Sequence, residues 1–100
     1  MQAPEKGFYY HYKHDAGKGE NDHAYEVLGV AIHTEDESFL VAYRPLYKNT
    51  FLGEADMCGR PLEMFMESVE KDGKTFTRFA RITDASLIAR LAKIRDTLYA

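Results

Sequence analysis

The segment that most constrains the fold runs from Ala24 to Tyr47, where two apolar runs flank the acidic tetrapeptide EDES (Glu35–Ser38). Both runs are rich in β-branched and aromatic residues, and apolar and polar positions alternate, which is typical of half-buried strands. We therefore predict a β-hairpin with strands at Ala24–Thr34 and Phe39–Tyr47. Gly29 interrupts the first strand and favours a bulge or a sharp bend there.

Alternation along the first strand of this hairpin divides its side chains between two faces. Residues two apart in a strand point to the same side of a sheet. On that basis one face carries Tyr25, Val27, Ala31 and His33, and the other carries Leu28, Val30 and Ile32.

Three further segments carry strand or loop signals. The aromatic run GFYYHYK (Gly7–Lys13) predicts a first strand, and an exposed loop rich in glycine and charge follows it. Asp72-Gly73 is a strong hairpin signal, so we predict paired strands at Met64–Glu70 and Thr75–Ile82. Lys48–Gly59 contains two glycines and no periodic apolar pattern, and we interpret it as irregular chain.

The segment before the Asp72-Gly73 turn also has a helical interpretation. Methionine and glutamate favour helix, and an apolar stripe at helical spacing is formed by Leu62, Phe65, Met66 and Val69. The hairpin signal favours strands instead, with helix restricted to a single turn at Pro61–Met64.

The last segment, TDASLIARLAKIRDTLYA, predicts an amphipathic helix. An apolar stripe recurs every three or four residues, and Thr83 or Asp84 can cap its N-terminus. The opposite face carries Arg90, Lys93 and Arg95. We expect the stripe either to pack on the rest of the domain or to form a homodimer with a second copy. The stripe consists of Leu87, Ile88, Leu91, Ile94 and Leu98.

These elements predict a mainly β fold. Five strands with short connections and one helix suggest a small, strongly bent β-barrel at residues 1–82, with the amphipathic helix at 83–100. The 100 residues are 45% hydrophobic and 29% charged, which is normal for a single globular domain.

Charge and cysteine content limit the partners and the compartment. The net charge of −3 gives no bias toward nucleic acid or anionic membranes, and no apolar run approaches the roughly 20 residues of a membrane span. The N-terminal MQAPEKGFYY lacks a signal-peptide pattern. The single cysteine, Cys58, permits no intrachain disulfide, which fits a reducing compartment. We therefore expect a cytoplasmic protein without a membrane partner.

Three ordered motifs, GFYYHYK, YEVLGVAIHTEDESFLVAYRPLY and RPLEMFMESVEKDGKTFTRF, resemble a family of small bacterial proteins known as domain of unknown function 1653, DUF1653. The resemblance runs from Gly7 to about Ile82. It implies an SH3-like barrel and no assigned activity. The matching signature positions are His11, Tyr12, Lys13, Tyr25, Val27, His33, Tyr43, Leu46, Tyr47, Arg60, Pro61, Met64, Phe65 and Glu67.

Three features depart from the usual pattern of that family. The loop between HYK and YEVLGVA is longer, and the helix from Thr83 onward extends past the usual end of the domain. MCG precedes Arg60 where the family often has a tryptophan, and this chain has no tryptophan at all. Any site that stacks a ligand on that indole is therefore weakened.

Metal and thiol chemistry have little support in the sequence. The histidines are His11, His14, His23 and His33, and the first two would lie on opposite faces of a strand. No cysteine pair or helical histidine motif is present, and nothing orders a base beside Cys58. We predict no metal site, no cofactor and no catalytic residue.

The strongest candidate site combines aromatic rings with cations on the predicted strands. Tyr9, His11 and Lys13 would share one face of the first strand, with Arg44 and Arg60 near strand ends. The candidate ligand-binding residues are His11, Tyr12, Lys13, Tyr25, His33, Tyr43, Arg60 and Glu67. Tyrosines that simply fill a small barrel are the competing explanation.

Three function hypotheses follow from this site. The first is a non-enzymatic module whose aromatic–basic groove takes a peptide or protein segment. The second is nucleic-acid or nucleotide binding, which requires Lys13, Arg44, Arg60 and Arg78 to converge on one face. The third is a small enzyme in which His33 or His11 works with a carboxylate inside a pocket.

Overall fold

The computed structural model describes residues 2–100, which form seven strands in two antiparallel sheets and two α-helices. The elements are β1 (Gly7–His11), β2 (Ala24–Ile32), β3 (Phe39–Pro45), β4 (Cys58–Pro61), α1 (Leu62–Met66), β5 (Ser68–Lys71), β6 (Lys74–Thr77), β7 (Phe79–Arg81) and α2 (Ala85–Leu98). A five-stranded sheet has the order β4-β3-β2-β1-β7, and β5 and β6 form a separate hairpin. The predicted mainly β fold with a C-terminal helix is confirmed, with seven strands instead of about five.

Strands β2 and β3 form the predicted hairpin, and Gly29 marks the predicted irregularity. The pairing register shifts between Val27 and Gly29, and Gly29 has φ +156°. Because this bulge inserts one extra residue, it reverses the alternation beyond it. Val30 and Ile32 pair with residues of β3 that share a face with the partner of Val27, so all three lie on one side. The faces assigned from alternation alone are therefore wrong beyond Gly29.

Strand β1 ends at His11, two residues earlier than predicted. The His14 N–H donates to the His11 carbonyl (2.9 Å), so the chain turns at Tyr12 and Lys13. The last contacts of the strand are made across the sheet, where the His11 N–H donates to the His23 carbonyl (2.9 Å). The aromatic residues of β1 thus lie between β2 and β7 at the centre of the sheet.

The Asp72-Gly73 turn is confirmed, but the chain before it is helical. The φ values of +53° and +75° at these two residues are those that a type I′ hairpin turn requires. The strand predicted at Met64–Glu70 is wrong for its first part, because Met64–Met66 belongs to α1. This helix buries Phe65, whose ring stacks on Phe79 at 4.1 Å. Burial of the Phe65 ring therefore prevails over the strand pattern at this point.

The single strand predicted at Thr75–Ile82 is two strands with different partners. β6 pairs with β5, whereas β7 pairs with β1 in the larger sheet. The break falls at Arg78, whose N–H donates to the Glu67 carbonyl (3.0 Å) and whose carbonyl accepts from the Tyr12 N–H (2.9 Å). Arg78 thus joins the hairpin to the larger sheet.

Strand β4 lies partly in the segment predicted to be irregular. It pairs with β3 at one edge of the larger sheet, where Arg60 lies opposite Val41. Gly59 and Pro61 have low strand propensity, and an edge strand tolerates both because one side of its backbone makes no ladder bonds. This non-local pairing brings Arg60 next to the aromatic residues of the sheet.

The larger sheet has an apolar cluster on each face. Neighbouring residues of β1 point to opposite sides, so Phe8 enters one cluster and Tyr9 the other. The sheet bends strongly, since the Phe79 ring of β7 lies 5.7 Å from the Tyr43 ring of β3 although β1 and β2 lie between these strands. In the described residues β4 and β7 remain opposite edges, so the hydrogen-bond ladders do not close a barrel.

Helix α2 packs on the face that carries Phe8. The side chain of Asp84 caps its first turn by accepting from the Ser86 N–H (3.1 Å), as predicted. Leu91 is fully buried against the sheet, and the Tyr99 hydroxyl donates to the Pro45 carbonyl (2.5 Å). A homodimer through α2 stays a prediction. Within residues 2–100 neither helix has both the length and the apolar character needed to cross a bilayer.

Candidate functional site

The candidate site is built around the end of β1. His11 lies on the same face of the strand as Tyr9, and its ring contacts the Phe79 ring edge-on at 5.1 Å. The rings of Tyr12 and His23 lie 4.5 Å and 5.8 Å from that of His11. Three elements, β1, β7 and the loop before β2, therefore place aromatic rings around His11.

A second group of rings extends this site along β2 and β3. The Tyr25 ring lies 5.5 Å from the Tyr43 ring and 5.7 Å from the Phe79 ring. The hydroxyls of Tyr25 and Tyr47 are hydrogen-bonded to each other (2.6 Å), which holds both rings in place. Arg60 donates from Nε to the Tyr43 hydroxyl (3.2 Å), and its guanidinium carbon lies 5.7 Å from the centre of the Phe79 ring.

Arg78 closes the site on the side of the β5-β6 hairpin. Its guanidinium forms an ion pair with the carboxylate of Glu67, while its buried Nε has no hydrogen-bond partner in the described residues. Lys13 lies at the rim, with its Nζ 5.9 Å from the Tyr12 ring centre. We call the half-exposed part of this site the aromatic–arginine surface. It consists of His11, Tyr12, His23, Tyr25, Tyr47, Arg60 and Arg78.

Burial and the neighbouring cationic groups keep the imidazole of His11 neutral. Burial is the larger cause and the neighbouring groups His23, Arg78, Arg60 and Lys13 add to it, and together they lower the pKa of His11 from 6.5 to about 4. Its Nδ1 accepts from the Lys13 N–H (3.2 Å), which places the ring proton on Nε2. Burial, followed by the hydrogen bond with Tyr47, raises the pKa of Tyr25. At neutral pH the rings of His11 and Tyr25 are therefore uncharged, with the cations Arg60 and Arg78 near His11.

Comparison with known proteins identifies the family but not an activity. Residues 7–81 match the family model described as "Protein of unknown function (DUF1653)". The chain belongs to the DUF1653 family. The crystal structure of a DUF1653 protein from Bordetella bronchiseptica is similar, with a TM-score of 0.63 and 30% sequence identity over 83% of this chain and 96% of that one. No curated protein matches the chain.

The DUF1653 segment contains the whole aromatic–arginine surface, and α2 lies outside it. Of the eight candidate residues, His11, Tyr12, Tyr25 and Arg60 lie together on this surface. Tyr43 lies directly behind Arg60 and is buried, so it packs in the core. Lys13 and Glu67 lie at the rim. That these residues bind a ligand stays a prediction.

His33 lies apart from the others in the DUF1653 domain. It follows β2 in the turn before β3, where its Nδ1 accepts from the Glu35 N–H (3.1 Å) and lies 3.6 Å from the Asp36 carboxylate. The prediction that His33 shares a face with Tyr25 is wrong, because the bulge at Gly29 changes the alternation between them. Its side chain is 42% exposed, which is typical of a turn residue.

Sequence reasoning missed His23, whose ring neighbours His11, and Tyr47, whose ring neighbours His23 and Tyr25, and it considered Arg78 only for nucleic-acid binding. His23 has φ +48°, a left-handed conformation that is uncommon for a residue other than glycine and that orients its ring. Its position after the turn-type residues of the loop was the only local signal. Arg44 does not join the predicted group of cations, since it pairs with Glu26 on the α2 side of the sheet (3.0 Å).

Among the described residues of the DUF1653 domain, no side chains are arranged for acid–base catalysis or for metal binding. Within residues 2–100 no three metal-ligating side chains come together, and His11 hydrogen-bonds no carboxylate. His23 lies 3.0 Å from the carboxylate of Asp22, but the two are adjacent in a loop. Burial raises the pKa of the Cys58 thiol, which therefore stays protonated at neutral pH.

An open cleft of about 860 Å³ adjoins the aromatic–arginine surface at Tyr47, and its lining does not include His11. The loop from Tyr47 to Ala55 lines it together with Leu98 and Tyr99 at the end of α2. We place the site at the aromatic–arginine surface instead, because the cleft is wide open and its lining holds a single charged side chain, Lys48.

Proposed function

We propose that this DUF1653 protein is a non-enzymatic binding module that takes a peptide or protein segment on the aromatic–arginine surface. The observation that carries the proposal is the group of half-exposed rings around His11, together with Arg60 on the neighbouring Phe79 ring, a guanidinium without a carboxylate partner in the described residues. Tyrosine and arginine are enriched among the residues that dominate the binding energy of protein interfaces.

The surface is also ordered before any partner binds. The Tyr25–Tyr47 hydrogen bond and the Arg60–Tyr43 hydrogen bond restrain rings and guanidinium, and His11 is restrained by its bond from Lys13. A partner therefore spends little free energy on ordering side chains. None of the three clefts described for this chain has His11 in its lining, and an exposed surface of rings and cations suits an extended segment.

We further propose that the bent sheet is an open form of the SH3-like barrel that the family resemblance implies. The contact of Phe79 in β7 with Tyr43 in β3 supports this, because it brings one edge of the sheet toward the other. In such a fold the aromatic–arginine surface lies where the two edges approach each other.

Binding of single-stranded nucleic acid is the second candidate. The nearness of Lys13, Arg60 and Arg78 to His11, beside the Tyr12 ring, favours it. The net charge of −3 and the position of Arg44 on the other side of the sheet argue against it. We therefore rank it below a peptide partner.

A selection from a random peptide library tests the first candidate. We expect enriched peptides to bind the wild-type protein in calorimetry, and Tyr12→Ala to weaken them about tenfold, or ~1.4 kcal/mol. Arg90→Gln is the control, because Arg90 lies on α2 and forms an exposed ion pair with Glu20. An equal loss of peptide affinity in Tyr12→Ala and Arg90→Gln would refute the proposal, as would a library from which no peptide is enriched.

A titration with a fluorescent single-stranded oligonucleotide tests the second candidate. Binding that weakens steeply as salt rises, with a logarithmic slope of about −0.7 per phosphate contact, would favour nucleic acid over peptide.

A further inference from the structure

Arg60 differs from every other arginine of the chain in its charge environment. The chain has six arginines, and Arg60 is the one without a carboxylate within 4.0 Å in the described residues. The remaining five are paired as follows: Arg44 with Glu26, Arg78 with Glu67, Arg81 with Glu5, Arg90 with Glu20, and Arg95 with Glu26 and Asp96.

The guanidinium of Arg60 is held in a fixed position with most of its donors unused. Its Nε donates to the Tyr43 hydroxyl and its plane lies near the Phe79 ring, so rotation of the side chain is restricted. A guanidinium has five N–H donors, and the described contacts use one. The four N–H groups at its two terminal nitrogens form the fork that binds a carboxylate through two hydrogen bonds.

A second donor nearby lacks an acceptor. The Nε of Arg78 is buried and hydrogen-bonds no described atom, although its terminal nitrogen is paired with Glu67. A buried donor without an acceptor is costly, and such groups in native proteins call for a partner atom. Arg78 and Arg60 both lie near His11, because the Arg78 carbonyl accepts from the N–H of the adjacent Tyr12 (2.9 Å) and the Arg60 guanidinium shares the Phe79 ring with His11.

These two arginines and Lys13 give the surface a local positive charge in an acidic protein. Glu67 compensates Arg78, whereas Arg60 and Lys13 have no ion pair in the described residues. The His11 ring and the Arg60 guanidinium both lie beside the Phe79 ring, and Lys13 lies at the rim near the Tyr12 ring, so one anionic group could contact Arg60 and His11 together. The Glu67 carboxylate beside them would repel a second anion.

We propose that the aromatic–arginine surface recognises a carboxylate of an acidic peptide segment, which Arg60 binds through its terminal nitrogens beside Arg78 and His11. This inference rests on the proposed peptide-binding function and names the group that the surface selects. The rings of Tyr12 and Tyr25 flank the carboxylate and contact the apolar part of the segment.

Sodium acetate is the probe for this carboxylate site. The Nε–Hε resonance of Arg60 and the ring resonances of His11 are followed by NMR while acetate replaces chloride at constant ionic strength. We expect saturable shifts with a dissociation constant on the order of 10 mM, and no shift with neutral acetamide. Chemical-shift changes that stay linear in acetate concentration, or that acetamide reproduces, would overturn the proposal.

Two substitutions at Arg60 and one control locate the site. We expect Arg60→Gln to weaken acetate about tenfold or more, and Arg60→Lys, which keeps the charge but lacks the fork, to weaken it about fivefold. Arg90→Gln should leave the titration unchanged. If Arg60→Gln does not fold, Arg60→Lys decides alone, and wild-type affinity in that variant would overturn the two-bond geometry.

Inorganic phosphate separates the sources of the anion. Phosphate that binds more than about tenfold tighter than acetate would overturn the assignment to a carboxylate. Peptides from the library that bind without an acidic residue and do not compete with acetate would refute this inference and leave the peptide-binding function standing. Acetate binding without any peptide binding would refute the proposed function instead.

Discussion

Glu26 holds helix α2 to the sheet, and neutralising it gives a sharp test of the fold. Its side chain is 12% exposed, and one oxygen accepts from Nε and Nη2 of Arg44, both at 3.0 Å. The other oxygen accepts from Nη1 of Arg95 on α2 at 2.9 Å. The hydrogen bond with Glu26 is the largest cause of the raised pKa of Arg95. Glu26→Gln removes this charge with almost no change of shape.

The expected loss of stability in Glu26→Gln follows from these three contacts of Glu26 and from the exposure of the side chains that make them. A hydrogen bond to a charged group contributes about 1.5–3 kcal/mol, and breaking a buried ion pair costs about 3–5 kcal/mol. The side chains of Arg44 and Arg95 are 22% and 30% exposed, so water recovers part of their hydration, and the Gln amide oxygen keeps one acceptor. We therefore expect Glu26→Gln to lower the free energy of unfolding by about 2–4 kcal/mol.

Urea denaturation followed by far-ultraviolet circular dichroism measures this loss. Thermal unfolding should show a drop in Tm of about 10–25 °C, the shift expected for a domain of 100 residues. Glu70→Gln is the matched control, because Glu70 lies exposed in β5 and forms no ion pair in the described residues. A loss below about 0.5 kcal/mol, or one equal to that of the control, would refute the ion-pair account.

Four further predictions test packing, titration and turn chemistry. Leu91→Ala should lower the free energy of unfolding by about 2–4 kcal/mol, because Leu91 on α2 is fully buried against the sheet. If urea denaturation shows a loss below about 1 kcal/mol, α2 does not pack on the sheet. The pKa of His11 is about 4 in the folded chain and near 6.5 in the unfolded chain, so between pH 6.5 and 4 only the unfolded state gains a proton at His11. The free energy of unfolding should therefore decline as the pH falls through this window, and it should decline less in His11→Gln. A midpoint near 6.5 in an NMR titration of His11 would contradict this. His33→Ala, which removes a half-exposed turn residue, should change the stability by less than about 0.5 kcal/mol in the same urea experiment. Gly73→Ala should lower the free energy of unfolding by about 1 kcal/mol, because Gly73 has a φ of +75°. Gly59→Ala should leave the stability unchanged, because Gly59 has an ordinary φ and ordinary contacts. Equal effects of the two substitutions would contradict the turn assignment.

The sequence by itself determined the features whose causes lie within a few residues. The left-handed φ values at Asp72-Gly73 come from the turn chemistry of those two residues, and the cap of α2 comes from Asp84 one residue before its start. The apolar spacing that buries Leu91 is likewise read along a single helix. The β2-β3 hairpin follows from its alternation and its turn.

Only the tertiary structure decided which distant residues meet. The bulge at Gly29 changes the face of every later residue in β2, so His33 leaves the site while the ring of Tyr25 stays in it. Strand β4 exists because Gly59 and its neighbours pair with β3, and no local propensity indicates that edge. Phe65 takes a helical position because its ring is buried against Phe79, a contact between α1 and β7. The free energy of strand pairing and burial between distant segments exceeds local conformational preferences of about 1 kcal/mol or less. These long-range contacts therefore decide which residues form the aromatic–arginine surface.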